Sequence, residues 1–294
     1  MPFVPPELRT FPLPARVRVC QELADCVTAA FEGPRLVHAG PQGNRMVLAV
    51  WGRAAGTFSA ALLLAEHGYG DQVGMLARAL FESAVDAYWI AAHPAEAERL
   101  GTLHFRLMRL LVAEQRNEHE QRHGDPALPL MVEDIRDREM LTRLLGIKGQ
   151  RHWTTKGLPD RIKAVQPSFP QDRGDELQAR YEDDNRLANL LLHGSTVALN
   201  DRITDDAFGN ATIRSGPSEQ HLANGLRHAY WSYQRLALIA QRRNPEARAE
   251  IERHYAEGWP LLQTITLPAL KKAGRNGRCP CGSSRKVKDC HGSI

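Results

Sequence analysis

The chain has 294 residues, of which 43% are hydrophobic and 24% are charged, and its formal net charge is +4. This balance is typical of a soluble globular protein with a sizeable buried core, and it excludes an intrinsically disordered chain. The first ten residues, MPFVPPELRT, lack the basic and apolar regions of a secretory signal, so a cytoplasmic protein is expected.

Nearly all of the first 265 residues show apolar positions spaced by three and four, the pattern of helices that bury one face. Glycine and proline mark the ends of these segments. The predicted helices cover residues 14–32, 44–67, 71–92, 95–122, 131–145, 173–193, 218–242 and 245–257. A polar loop is predicted over 200–217, with a short strand at Ala211–Ile213. We therefore predict an all-α fold, with a multi-helix bundle over 1–265 and a separate module over 266–294.

Two features of the first helices bear on the class of protein. Cys20 and Cys26 stand alone in a helical pattern, and in a reducing compartment they are expected to be buried thiols without a redox role. The most apolar stretch, residues 46–65, is interrupted by Arg53. We interpret it as a core helix and predict no membrane span.

The helix predicted over 71–92 is apolar almost all round, yet it carries a stripe of three charged residues. Arg78, Glu82 and Asp86 are spaced by four, which places them along one side of the helix. Buried charges cost several kcal/mol unless they are paired, so these residues require partners. Two interpretations remain open: an internal ion-pair network that fixes helix register, or a polar pocket in the bundle core that is formed by Arg78, Glu82, Asp86 and Asn189.

A second polar line lies in the segment YEDDNRLANLLLHGS. Arg186 and His193 are seven positions apart and share a helix face with Asn189, and Gly194 ends the predicted helix. An imidazole can move a proton at a ribose hydroxyl while a guanidinium stabilises the phosphate, which is metal-independent RNA cleavage. The alternative interpretation is a helix-capping histidine and a surface or salt-bridged arginine.

This Arg–His spacing resembles the R-x(4–6)-H signature of the HEPN ribonucleases, although Leu187 stands where that family favours a polar residue. The resemblance implies an all-helical protein of a toxin–antitoxin or phage-defence system, with Arg186 and His193 as catalytic residues. It also implies a homodimer in which two such motifs face each other.

A wider resemblance covers roughly residues 50–200. An R-x-x-x-E helix, the sequence HWTTKG at 152–157 and a tyrosine-bearing helix that ends in HGS are similar to an uncharacterised family of bacterial helical domains. The matching residues are Arg78, Glu82, Trp153, Lys156, Tyr181, His193 and Ser195. This resemblance implies no activity, but it suggests that Arg78, Glu82 and His193 belong to one polar site in the bundle.

The C-terminal segment differs in composition from the rest of the chain. Residues 271–294 hold seven lysines and arginines and one aspartate, a net charge of +6, so the other 270 residues carry −2. The segment also contains Cys279, Cys281, Cys290 and His291. Thiolates and imidazoles are zinc ligands, and four of them leave no position open for water. We predict a small zinc knuckle in which the ion is structural.

This tail resembles the SEC-C motif, the zinc-binding C-terminal module of the SecA translocase ATPase. The match covers residues 274–292 and consists of a GRN lead, CPCGS, basic residues and Cys-His before glycine. The resemblance implies docking on a partner protein, or on ribosomal or nucleic-acid surfaces. The chain has no P-loop, so the translocase activity does not carry over.

Two functions follow from these patterns. The first is a binding or adaptor protein that docks on an acidic partner through the basic zinc knuckle. The second is a HEPN-like ribonuclease that uses Arg186 and His193. The first is preferred, because the cysteine motif is far better specified than a single Arg–His spacing.

Overall fold

The computed structural model describes most of the predicted helical segments. The described residues are 8–9, 12–31, 42–123, 138–140, 142–143, 152–168, 174–185, 203–205, 211–213, 216–218, 221–263, 265–280 and 285–290. These residues are mostly helical, which confirms the predicted all-α multi-helix bundle.

Nine α-helices have both of their ends within the described residues, and residues 138–140 and 142–143, which lie in the helix predicted over 131–145, are also helical. In chain order they are α1 (Leu13–Phe31), α2 (Gln42–Glu66), α3 (Gly70–Ala92), α4 (Pro94–His123), α5 (Leu158–Val165), α6 (Gly174–Arg180), α7 (Leu222–Ala240), α8 (Pro245–Gly258) and α9 (Leu267–Ala273). A π-helical turn at Tyr181–Asn185 continues α6, and short 3₁₀ helices lie at Gln166–Ser168, Trp259–Leu262 and Val287–Asp289.

Four very short strands form two antiparallel pairs. Strand β1 (Leu8–Arg9) pairs with β4 (Ile265–Thr266), with Leu8 opposite Thr266. Strand β2 (Ile203–Asp205) pairs with β3 (Ala211–Ile213), with Thr204 opposite Thr212. The predicted short strand at Ala211–Ile213 is therefore confirmed, and the pairs are too short to change the fold class.

Helix α3 is the centre of the bundle. It packs most extensively against α7 and α2, and it also contacts α4 and α5. Phe81 on α3 stacks on Trp231 of α7 at 6.0 Å between ring centres. The backbones of α3 and α7 approach closely at Gly225, where an added Cβ would lie 3.1 Å from the backbone nitrogen of Gly74. Glycine at position 225 therefore permits a close approach that a side chain would hinder.

Helix α2 supplies another layer of this core. Phe58 is fully buried and stacks on Tyr233 of α7, with ring centres 4.2 Å apart. Within the described residues, the segment Arg45–Glu66 is the one helix long and apolar enough to cross a membrane by length and composition. Its buried residues Ala54, Phe58, Leu62 and Ala65 belong to the main core cluster, but only 28% of its most apolar window is buried. The helix thus contributes one face to the core, and the absence of a membrane span stays a prediction.

Three helix predictions need correction. The helix predicted from residue 218 begins instead at Leu222, because Ser218 bridges to Tyr69 and His221 has a left-handed φ of 64°. The helix predicted over 173–193 is α-helical only to Arg180 and then takes a π-helical turn, and residues 186–202 lie outside the described residues. Helix α5 was not predicted, because eight residues give too few repeats of the apolar spacing.

Candidate functional site

The C-terminal module begins with α9, which ends at Ala273. Gly274 follows with a φ of +72° and donates from its backbone nitrogen to the carbonyl of Leu270 at 3.1 Å. A glycine in the left-handed conformation just after a helix satisfies the last carbonyl groups and turns the chain away. The GRN lead of the motif therefore starts at a helix C-terminus.

The segment after Gly274 folds back on itself as a hairpin. The backbone nitrogen of Cys279 donates to Arg285 O at 2.8 Å, and that of Val287 donates to Gly277 O at 2.9 Å. Arg278 and Lys286 form an antiparallel bridge between these two bonds. The hairpin thus brings residues 277–279 beside residues 285–287.

This hairpin buries two of the four predicted zinc ligands in one small cluster. Cys279 is 4% exposed and Cys290 is 1% exposed, and they pack with Leu270 and Val287. A cluster of four buried residues is a small core for so polar a segment, whereas a metal ion would cross-link it strongly. Buried sulfur donors on both arms of a hairpin fit a zinc ion. The other two predicted ligands, Cys281 and His291, lie outside the described residues.

The outer surface of the module is strongly basic. All seven of its lysine and arginine side chains are exposed, and the residues are Lys271, Lys272, Arg275, Arg278, Arg285, Lys286 and Lys288. Apart from Arg285, none of them forms an ion pair with a described residue. In the bundle, by contrast, Arg18 pairs with Glu22 at 3.1 Å and Arg253 pairs with Glu257 at 3.2 Å.

A second polar site lies in the bundle, where α3 meets the loop before α5. Asp86 on α3 accepts a hydrogen bond from Arg161 Nη1 at its Oδ1 atom. Its Oδ2 atom lies 3.3 Å from Trp153 Nε1, which donates to it, and 3.3 Å from His152 Nε2. The side chains of Asp86 and Arg161 are only 14% and 3% exposed. Buried opposite charges are thus compensated by each other and by hydrogen bonds.

The loop of residues 152–157 has a fixed internal geometry. His152 Nδ1 lies 2.8 Å from the Thr154 hydroxyl and accepts from the Thr154 backbone nitrogen at 3.3 Å. Because Nδ1 accepts, the neutral form of the ring carries its proton on Nε2, the atom that lies 3.3 Å from Asp86 Oδ2. Thr155 adopts a left-handed φ of 62°, and Lys156 Nζ lies 5.8 Å from the centre of the Trp89 ring. The HWTTKG sequence is therefore a structured turn that contacts α3 at Asp86 and Trp89.

A second histidine lies near this turn. Burial lowers the pKa of His104 on α4 from its ordinary value, and the positive charge of a protonated His152 lowers that pKa further. Both effects favour the neutral imidazole. An Asp–His pair near a histidine whose neutral form is favoured has the elements of a proton-transfer site, although the contacts of Asp86 with His152, Trp153 and Arg161 are also those of a structural network.

The predicted charged stripe of α3 divides into two parts in the structure. Arg78 Nε donates to Glu82 Oε1 at 2.8 Å, and both side chains are half-buried. Asp86 instead contacts His152, Trp153 and Arg161. These contacts are of the kind that the ion-pair interpretation expects. Asn189, which was predicted to share the polar pocket, lies outside the described residues, so the pocket interpretation stays a prediction.

The predicted catalytic pair, Arg186 and His193, also lies outside the described residues. The described part of its predicted helix ends in the π-helical turn Tyr181–Asn185. A π-helical turn inserts a residue into the helical repeat, and such turns are frequent at functional sites. The proposed proximity of His193 to Arg78 and Glu82 stays a prediction.

A further side-chain cluster was missed by the sequence analysis. Cys26 on α1 lies beside Glu250 and His254 on α8. Burial, and then the negative charge of Glu250, raise the pKa of Cys26 to about 11. This thiol is therefore protonated at neutral pH and is a poor nucleophile. The four-residue spacing of Glu250 and His254 was a weak signal, but no local pattern connects them with Cys26.

The fold and these sites define an all-α bundle protein that ends in a cysteine-containing basic module. The chain matches DUF5677, a family of unknown function, over residues 44–210, which is more than half of its length. The protein therefore belongs to that family. The match includes Asp86 and the loop of residues 152–157, and it overlaps the predicted resemblance to an uncharacterised helical family over 50–200.

Shorter similarities connect the chain with proteins named protein translocase subunit SecA. The protein from Paraburkholderia phymatum is 32% identical over 111 residues, which are 37% of this chain and 12% of that protein. The protein from Campylobacter hominis is 57% identical over 37 residues, 12% of this chain and 4% of that protein. The protein from Stutzerimonas stutzeri is 35% identical over 85 residues, 28% and 9% of the two chains. The chain thus spans at most 12% of the length of these relatives. No solved structure matches it significantly.

Proposed function

We propose that this protein is a zinc-binding adaptor of the cytoplasm, in which the C-terminal module docks on an acidic partner. The observation that carries the proposal is the structure of residues 265–290. This segment buries two cysteines of a zinc motif, Cys279 and Cys290, and exposes a set of lysines and arginines around them. The helical bundle would then carry the recognition or activity that is particular to this protein.

Zinc would be held by Cys279, Cys281, Cys290 and His291. The similarity to SecA proteins supports this set of ligands, because all four match the SEC-C pattern over residues 274–292. A fully coordinated ion supplies no reactive position, so its contribution is to cross-link the hairpin. The exposed lysines and arginines of the module then supply the positive charge.

The charge of the module selects the class of partner. Six exposed cations without ion-pair partners among the described residues create a positive potential on one small surface. Such a surface attracts acidic proteins, ribosomes or RNA, and its attraction weakens as salt increases. The near-neutral bundle would not attract these partners, which makes the module the docking element.

The metal is tested by elemental analysis of the purified full-length protein. A variant with Cys279→Ser and Cys290→Ser should lose the zinc that the module binds. The matched control is Cys20→Ala, which removes a buried cysteine of α1. Unchanged zinc content in the double serine variant, with the bundle folded, would overturn the zinc part of the proposal.

The docking surface is tested by charge reversal. Lys286→Glu with Lys288→Glu is compared with Arg99→Glu and Lys163→Glu, the same charge change on exposed positions of the bundle. Binding to single-stranded RNA and to an acidic polypeptide is measured across a range of salt concentrations. For RNA, each lost phosphate contact reduces the slope of log K against log salt by about 0.7. Equal weakening by the bundle variants would contradict docking through the module.

The ribonuclease alternative rests on Arg186 and His193. In its favour, a π-helical turn directly precedes Arg186. Wild type, Arg186→Ala and His193→Ala are compared for RNA degradation and for growth arrest on overexpression. If all three behave alike, the alternative is wrong.

A further inference from the structure

We propose that Cys26, Glu250 and His254 form a second metal site, which binds a thiophilic divalent cation such as Zn²⁺ between α1 and α8. The ligand atoms of these three residues lie within 4.8 Å of one another. The site is independent of the C-terminal module, since it uses neither the residues nor the elements of that module.

The two helices position the three donors. Glu250 and His254 are four residues apart on α8 and therefore project from the same side of that helix. Their neighbours Ile251 and Tyr255 are buried and fix α8 against the core. The backbone oxygen of His254 also accepts a hydrogen bond from the Tyr230 hydroxyl at 3.1 Å.

Cys26 is held in a similar way from the other side. Its neighbours Leu23 and Val27 on α1 are fully buried, and α1 packs directly against α8. Cys26 itself is partly buried at the rim of this contact, where its sulfur faces the two donors of α8. The backbone positions of the cluster are thus fixed by core packing on both helices.

The chemistry of the donors narrows the choice of cation. The cation displaces the proton of the Cys26 thiol, which is released to solvent, so the donors are a thiolate, an imidazole and a carboxylate. This set suits zinc, whereas magnesium and calcium prefer oxygen ligands alone. Three protein ligands leave the fourth tetrahedral position open to water or to an exogenous ligand. This arrangement differs from the predicted knuckle, in which four protein ligands close the coordination sphere.

Arg253 competes with a cation at this site. Its Nη2 atom lies 3.1 Å from His254 Nε2, and it also lies 3.8 Å from Glu250 Oε1. Arg253 has another partner, Glu257 Oε1 at 3.2 Å, which it can retain when it releases the other two residues. Replacing Arg253 should therefore strengthen metal binding, an effect that a purely structural role of the cluster would not produce.

The test measures zinc bound per full-length chain. Wild type should bind two ions, and Cys26→Ala, Glu250→Gln or the Cys279→Ser/Cys290→Ser variant should each bind one. Cys20→Ala is the matched control on the same helix, outside the cluster, and should bind two. Loss of one ligand should weaken zinc binding at the second site by more than the roughly tenfold that loss of an outer-shell partner of a ligand costs. Arg253→Gln should bind more tightly than wild type.

Cobalt replaces zinc as a spectroscopic probe in the second measurement. In the Cys279→Ser/Cys290→Ser variant, the cobalt-bound protein should retain a thiolate-to-cobalt charge-transfer band, and adding Cys26→Ala should abolish it. If wild type binds one ion that only the module variant loses, the second site is overturned while the zinc knuckle stands. If only the Cys26 variant loses an ion, the knuckle fails and the second site stands.

Discussion

The bundle and the C-terminal module are stabilised by different physical means. The bundle buries large side chains completely, among them Trp89, Trp231 and Phe58, and packs them across three helices. The module buries only Leu270, Val287 and two cysteines among its described residues. Apolar burial can therefore stabilise the bundle. The module instead needs a cross-link, such as a bound metal ion, between its two cysteine sulfur atoms.

The two regions also differ in how far their charged side chains are paired. Within the bundle, the buried cation of Arg161 is matched by Asp86, and surface arginines pair with glutamates one turn away. The module exposes most of its cations without matching acids among the described residues. Unmatched cations attract an oppositely charged surface, which is the role proposed for the module, whereas the matched charges of the bundle contribute less to such attraction.

Metal removal is the strongest way to separate the two regions. Chelation of zinc should unfold residues 265–290, because binding a structural zinc ion contributes on the order of 10 kcal/mol to small zinc modules. The bundle should keep its helical content, and in the Cys26→Ala variant, which lacks the proposed second metal site, it should also keep its melting temperature. Hydrogen exchange measured by mass spectrometry checks the unfolding of the module and the persistence of the bundle helices. Retained protection of the module after chelation would show that its small apolar cluster suffices.

Loss of the Asp86 carboxylate should have the next largest effect. Asp86→Asn leaves the guanidinium of Arg161 buried without its counter-charge, and such a change costs about 3 kcal/mol. Urea unfolding measures the loss, and Arg161→Leu in the same chain should restore part of it. The control is Glu82→Gln, since the Arg78–Glu82 pair is half-exposed and should cost about 1 kcal/mol or less. Equal effects of the two single changes would contradict a structural role for the buried pair.

A smaller effect is expected at the start of α8. The Asn244 side chain accepts a hydrogen bond from the Ala247 backbone nitrogen at 3.1 Å, and Pro245 occupies the first turn. Asn244→Ala removes this cap and should reduce the free energy of unfolding by about 1 kcal/mol, with no effect on zinc bound by the module. The exposed variant Ala249→Ser, later on the same helix, is the control. Zinc is counted in the Cys26→Ala background, in which only the module binds zinc, and a change on Asn244→Ala there would show that the bundle and the module are coupled.

Local patterns in the sequence predict the helices well. Predicted bounds for the first four helices and for α8 agree with the structure to within two residues, because long apolar repeats end at glycine or proline. The start of α7 was predicted four residues too early, since a bridge between Ser218 and Tyr69 forms only in the folded chain. The spacing of cysteines in the tail predicts a shared cluster, and Cys279 and Cys290 share one.

Contacts between distant residues could not be predicted in this way. Asp86 meets Trp153 and Arg161, which are 67 and 75 positions away, and the sequence pattern showed only that Asp86 needed a partner. The cluster of Cys26 with Glu250 and His254 joins the first helix to the eighth. Such pairings depend on how helices pack against each other, and hydrophobic periodicity specifies the buried face but not the neighbour.

The smallest predicted effect concerns the pH dependence of the bundle. Burial lowers the pKa of His104 in the folded protein, so the unfolded chain binds a proton at this residue more readily. The resulting loss of folding stability is absent well above the ordinary histidine pKa of about 6.5, and it grows as the pH falls through that value. His104→Gln should therefore lose less stability than wild type between pH of about 7.5 and about 5.5, as measured by urea unfolding.

The exposed variant Ala249→Ser provides the control, since it removes no titratable group and should leave the pH dependence as it is in wild type. The module has one described acidic residue and no described histidine, so its zinc-dependent protection should not follow His104. A wild-type pH dependence in His104→Gln would show that other groups of the bundle dominate acid sensitivity. A shift in protection of the module in that variant would mean that the two regions share a protonation-linked contact, and the separation between scaffold and docking element would have to be abandoned.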